Sequence, residues 1–169
     1  MDDRIEREKS FHNTRFATEP SRSKVLVSRM FAITKEALKA QAVLEARSVS
    51  LRHLHVSTLK PFDDLRVLEA VLAAGRGVIT MENHTIVGGL GSATAELIAT
   101  HGVARPLCRL GIRDQFLHGA SKPYLMREYG LDARALIRQV ETMLHTDLAV
   151  GDDELSAITL GPSPATAVA

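Results

Sequence analysis

Between Lys24 and about His145, short β-rich runs alternate with stretches of helical period. Lys24-Val25-Leu26-Val27-Ser28 reads as a strand. Thr34 is placed to cap a helix in which Ala37, Ala40 and Leu44 share one face. Ser48–Val56 reads as the next strand, with His53 and His55 on the same side of it. Pro61, Asp63 and Asp64 then introduce a helix whose Leu65, Leu68 and Leu72 recur on one face and which Gly75 closes. Gly77-Val78-Ile79-Thr80-Met81 has the composition of a buried strand. After a glycine loop come a helix from about Ser92 to His101, stopped by Gly102, and a strand over Pro106–Ile112. Ser121-Lys122-Pro123 opens a short helix that Gly130 ends. Asp132 caps the last helix, where Ala133, Leu136, Ile137, Val140 and Leu144 form the strongest apolar stripe of the chain.

Strands alternating with helices predict an α/β domain built on a mostly parallel sheet covered on both faces. Functional loops in such sheets lie at the carboxyl ends of the strands. That selects the segments 29–33, 57–62, 82–91 and 111–121. The flanks differ from this middle part. Residues 1–23 are polar, dense in charge and without period, an arm in which Phe11–Phe16 could form an edge strand. Residues 146–169 are rich in Ala, Pro, Gly, Ser and Thr, which predicts a flexible tail.

Composition narrows the functional classes. Hydrophobic residues are 45% and charged residues 24% of the 169, as in soluble globular proteins. With 4% aromatics and no Trp, the core must be aliphatic. A formal charge of +1 gives no steering towards nucleic acid or a membrane surface. No apolar run approaches the roughly 20 residues of a membrane span. The single cysteine, Cys108, allows no internal disulfide and fits a reducing cytoplasm.

The densest candidate motif is Glu82-Asn83-His84-Thr85-Ile86-Val87-Gly88-Gly89-Leu90-Gly91-Ser92. Three glycines in four positions between a strand and a helix allow close backbone approach. The loop reads either as a tight structural turn or as an anion site on the following helix N-terminus. Glu82 and His84, two apart at a strand end, read either as an acid–base pair or as a hydrogen-bonded pair that fixes the loop or meets a partner. His53 and His55 would need a third metal ligand, and none stands at a suitable spacing. Cys108 sits in an apolar strand as a small core residue or a reactive thiol. Asp114 and His118 lie in a loop with no nucleophile beside them, and Arg109 and Arg113 are either a phosphate pair or solvated surface.

Three segments together carry a family resemblance. Leu54-His55-Val56-Ser57-Thr58-Leu59-Lys60-Pro61-Phe62-Asp63 resembles the H-T-[IL]-K-P-[LF]-D segment of the transketolase C-terminal domain. Glu82-x-His84 with Gly88-Gly89-Leu90-Gly91-Ser92-Ala93-x-Ala95-Glu96 is similar to that family's next signature. Gly111-Ile112-x-Asp114-x-Phe116, Gly119 and Tyr129-Gly130-Leu131 resemble its closing one. Their order and spacing agree over about residues 24–145. The wording is closer to split transketolases and 1-deoxyxylulose-5-phosphate synthases than to 2-oxo acid dehydrogenase beta subunits.

The resemblance implies a three-layer α/β/α fold on a five-stranded, mostly parallel sheet. Its antiparallel first strand would come from the arm near Phe11–Phe16. It also implies a non-catalytic component. Thiamine diphosphate and magnesium would be held by companion chains carrying the diphosphate- and pyrimidine-binding domains, in a dimeric or higher assembly. Gly151-Asp152-Asp153 lies in the tail and lacks the helix and Asn of the family's magnesium motif. Glu82, His84, Gly88, Gly89, Gly91 and Ser92 would form an interdomain or assembly loop. One departure stands out: the family's glycine after the first long strand is missing, and Ser28-Arg29-Met30-Phe31 occupies that turn, the first glycine of the chain being Gly75. Two rival readings follow: the C-terminal part of a 2-oxo acid dehydrogenase or acyl-carrier-loading enzyme, and a detached module binding a small anion.

Overall fold

The computed structural model describes residues 32–160; the arm, the strand expected over Lys24–Ser28 and the turn at 28–31 lie outside the described residues. In chain order the elements are α1 (Ala32–Glu45), α2 (Leu65–Ala73), β1 (Val78–Thr85), α3 (Leu90–Thr100), β2 (Leu107–Ile112), α4 (Lys122–Glu128), α5 (Ala133–Leu144) and α6 (Asp152–Ala157). The fold is α/β. Among the described residues the sheet has two strands, β1 and β2, paired in parallel from Val78↔Leu107 to Met81↔Leu110 and again at Thr85↔Ile112.

The sheet is covered on both faces, and the period of two along β1 shows how. Ile79 and Met81, with Leu110 of β2, pack against the main core, where Ala37, Ala40, Val43 and Leu44 of α1 meet Ala133, Leu136, Ile137 and Val140 of α5. Thr80 and Glu82 are buried on the other side, where α3 lies: an added Cβ at Gly91 would stand 3.0 Å from the Thr80 hydroxyl. The α5 stripe is the one the sequence predicts. Asp132 caps the helix by accepting from Ala135 N at 2.9 Å, and Glu36 of α1 accepts from Ala133 N at 3.1 Å. Two orphan amides at one helix start are thereby satisfied.

Four expectations are corrected here. Thr34 lies inside α1; its hydroxyl is 3.0 Å from His55 Nδ1 instead of capping the helix. Residues 49–59 carry no strand pairing among the described residues, although Val49 and Leu51 still pack inward. His53 is half-buried there and His55 exposed, so the two do not share an environment. On α2 the buried residues are Val67 and Val71, whereas Leu65 is 72% and Leu72 53% exposed.

The fourth correction concerns the tail. Residues 146–160 are not loose: α6 forms there, Leu155 is buried in the α1–α5 core, and Leu148, Val150 and Ile158 pack beside it. Residues 161–169 lie outside the described residues. Composition misleads because the apolar side chains that pack inward are spread among small and polar residues; Arg134 binding Asp152 and Arg47 binding Glu154 add guanidinium ties. Ending the chain at Thr146 is therefore expected to destabilise it by about 2 kcal/mol, the order of one buried leucine. The thermal midpoint should fall by roughly 8 °C. A fall under about 2 °C would show that the segment adds nothing.

Candidate functional site

β1 runs on through Thr85, past its predicted end, so Glu82 and His84 belong to the strand. The register explains their orientation. Between Met81↔Leu110 and Thr85↔Ile112, β1 advances four residues while β2 advances two. This irregularity breaks the alternation of side chains. Glu82 is buried, and His84 is exposed with Nδ1 2.9 Å from the Thr85 carbonyl. They do not form an acid–base pair.

The Glu82 carboxylate has a different use. Oε2 accepts from Leu90 N at 2.8 Å and Oε1 from Gly91 N at 2.9 Å. These are the first two amides of α3, whose N-cap residue, Gly89, has no side chain to offer. A carboxylate at a helix N-terminus satisfies orphan donors and lies favourably in the helix dipole. The anion site that the glycine loop could have offered is filled by the protein's own carboxylate. Gly89 is glycine because a Cβ there would strike that carboxylate and come within 2.8 Å of the Thr85 carbonyl. Gly91 lets the Arg109 side chain lie across the helix start, where a Cβ would be 2.6 Å from Arg109 Cδ. Gly88 takes a left-handed φ of +72°.

Ser92 closes the loop. Its hydroxyl accepts from Gly88 N at 3.0 Å and donates to the Ile86 carbonyl at 3.0 Å, which also receives Arg109 Nη1 at 3.4 Å. Ile86 N donates to the Ile112 carbonyl at 2.9 Å, tying the loop to the end of β2. The segment is thus a joint satisfied from within, with Asn83, His84, Val87 and Gly88 left as its exposed rim. The Gly88–Gly89 turn, α3 and the chain at Leu59, Lys60 and Phe62 border an open cleft of about 450 Å³.

The remaining candidates do not assemble chemistry. Burial raises the Cys108 thiol above its usual range, against a weaker opposing pull from Arg113, so it is not an activated nucleophile. His118 turns to α4, 3.3 Å from Glu128 and 3.4 Å from the Tyr129 hydroxyl, and not to Asp114. Arg109 is engaged at Ile86, while Arg113 borders a separate shallow recess with Gly111 and Glu128, so the two do not converge on a phosphate. Burial, then the neighbouring His55, lowers the His53 imidazole. Among the described residues no group of three His, Cys, Asp or Glu is placed to hold a metal ion.

Comparison with known proteins gives this joint its context. The transketolase C-terminal domain matches residues 21–136, more than half of the chain. The chain belongs to the transketolase C-terminal domain family. A protein described as a transketolase C-terminal section, from Methanocaldococcus jannaschii, is 35% identical over 105 residues, 62% of this chain and 32% of that one. A 6-deoxy-6-sulfo-D-fructose transketolase subunit of a Clostridium species is 39% identical over 103 residues, 61% of this chain and 31% of its own. The 1-deoxy-D-xylulose-5-phosphate synthase of Stenotrophomonas maltophilia is 35% identical over 130 residues, 77% of this chain and 20% of the synthase. The chain therefore spans about a third of the first of these relatives and a fifth of the synthase. Within the family match fall both the glycine joint and the core helix α1; α6 lies beyond it. No helix among the described residues is long and apolar enough to cross a membrane.

Sequence reasoning missed Glu82 as a helix cap, Glu36 as a second cap on α5, and Arg47. The first had a signal: an acidic residue at a strand end, seven before a glycine that starts a helix. The other two join segments about a hundred residues apart and leave no local trace.

Proposed function

We propose that this chain is a non-catalytic C-terminal component of a split transketolase-like enzyme. It works in a reducing cytoplasm, where its lone thiol stays free, and assembles with companion chains that hold thiamine diphosphate. Its sheet is the five-stranded, mostly parallel one of the family, to which β1 and β2 contribute a parallel pair. The observation that carries the reading is the Glu82 carboxylate on Leu90 N and Gly91 N. It turns the one motif with the composition of a ligand loop into a rigid joint with an exposed rim, which is the form of an assembly surface.

The donors on this chain do not fit a diphosphate and magnesium. The glycine-loop amides are occupied by Glu82, and Asp152 is held by Arg134 at 2.6 Å. Gly151-Asp152-Asp153 does precede a helix, contrary to the sequence reading, but that helix has six residues and no Asn follows in it. The relatives point the same way: one is described as a C-terminal section and another as a subunit, so their names describe parts of transketolases. The assembled enzyme would move a two-carbon ketol unit from a donor ketose to an acceptor, with the cofactor doing the carbanion chemistry and the protein positioning it. Companion chains with the diphosphate- and pyrimidine-binding domains should be inactive alone and gain ketol transfer when this chain is added. Full activity without it would overturn the proposal.

A further inference from the structure

The segment after α5 is fastened in an unusual way. Its helix, α6, has six residues, too few to persist unaided, and its N-cap Gly151 offers no side chain. One buried leucine, Leu155, anchors it to the α1–α5 core. The polar attachment rests largely on two arginines. Arg47, just after α1, grips Glu154 with both terminal nitrogens at 2.7 Å, and its Nε donates to the Leu148 carbonyl at 2.7 Å. Arg134 on α5 donates to Asp152 Oδ1 from Nε and Nη2, at 2.9 and 2.6 Å, and from Nη1 to the Val150 carbonyl at 2.5 Å. Leu148 N donates to Glu141 at 3.0 Å. Each arginine therefore holds one carboxylate of α6 together with carbonyls of the chain leading into it, Leu148 and Ala149 for Arg47 and Val150 for Arg134.

We propose that residues 147–158 are a detachable strap: they open from the α1–α5 seam without unfolding the domain, and Arg47 and Arg134 are the catches. In the seam beneath, Leu44 and Ile137 are wholly buried and share their cluster with Ile79, Met81 and Leu110 of the sheet as well as with Leu155 of the strap. The strap adds the buried Leu155, the partly buried Leu148, Val150 and Ile158, and four carboxylate–guanidinium contacts in which the carboxylates are the more exposed partners, Glu154 at 38% and Asp152 at 89%. Contacts of that kind weaken with salt, whereas the apolar packing of α1 on α5 does not. Opening bares the apolar flank of α1 and α5 that Leu155 covers, and salt shifts the strap towards the open state. This does not depend on the enzymatic role proposed above.

Acid acts in the same direction, but only well below neutrality. The Arg47 hydrogen bonds hold the Glu154 carboxyl below the usual carboxylate range; the charges of Arg47 and Arg134 and the Gly151 amide support this, against a smaller desolvation cost. A depressed carboxyl contributes its tether at neutral pH and loses it as pH falls through that lowered value. Glu141, the other acid facing Arg47, helps keep the guanidinium charged.

Hydrogen exchange on the full chain, read by mass spectrometry, tests the proposal. In the unmodified chain, peptides over 148–158 should exchange about tenfold faster than those over 133–144, with the gap widening from low salt to 0.5 M NaCl (about a 4 Å screening length). Arg47→Met should accelerate the strap by a further factor of about ten and leave α5 unchanged. If that variant does not fold, the salt series on the unmodified chain decides. Equal exchange in strap and α5 at every salt concentration, or unchanged strap protection in a folded Arg47→Met, overturns the proposal.

Discussion

Glu82→Ala is expected to destabilise the domain by about 3 kcal/mol, because it strips charged acceptors from two amides, one of them buried. For a domain of this size the thermal midpoint should fall by roughly 12 °C. The alternatives make different predictions. A catalytic Glu82 would lower activity of an assembled enzyme while leaving the midpoint in place. A cap lowers the midpoint first. Glu82→Gln should fall between, since it keeps one oxygen acceptor but turns an amide donor towards a second donor. His84→Ala, at the exposed neighbour, should stay within about 2 °C, as surface substitutions do. Gly89→Val should behave at least as badly as Glu82→Ala, because its side chain would occupy the carboxylate's place and press on the Thr85 carbonyl. An unchanged midpoint for Glu82→Ala would mean that α3 is capped in some other way.

Ile137→Ala carries the second large expected effect, about 4 kcal/mol, because Ile137 is wholly buried where α1, α5 and the sheet meet. The loss has two parts, the transfer of the removed methylenes and the cavity left among Leu44, Val43 and Met81. Ile137→Val removes a single methylene and should cost about 1 kcal/mol. In urea the midpoint should move while the slope stays constant, since the unfolded chain exposes the same surface. A cost under about 1 kcal/mol for the alanine variant would mean that the α1–α5 seam is not the core.

What the sequence made legible follows from where the physics is local. The α5 stripe could be read because polar Arg134, Arg138 and Gln139 separate its apolar positions, leaving one face to bury. In α2 only Arg66 and Glu69 are polar, so the periods through Leu65 and through Val67 fit equally well, and tertiary packing chose Val67 and Val71. The glycine loop was found by composition, but its purpose was not. Spacing alone left an anion site and a tight turn open, and the deciding fact is a side chain arriving from the preceding strand. Period-two reasoning put Glu82 and His84 on one face; the register shift at the end of β1 separated them. The tail was misread because its partners, the α1–α5 core under Leu155 and the guanidinium groups of Arg47 and Arg134, lie outside a composition window over 146–169.

This chain is proposed to position other domains and to hold no cofactor itself. Calorimetry with thiamine diphosphate and magnesium tests this most directly, first on the purified chain and then on the chain mixed with companions bearing the diphosphate- and pyrimidine-binding domains. No binding heat is expected from the chain alone, and saturable binding is expected from the mixture. Micromolar binding by the isolated chain would contradict this.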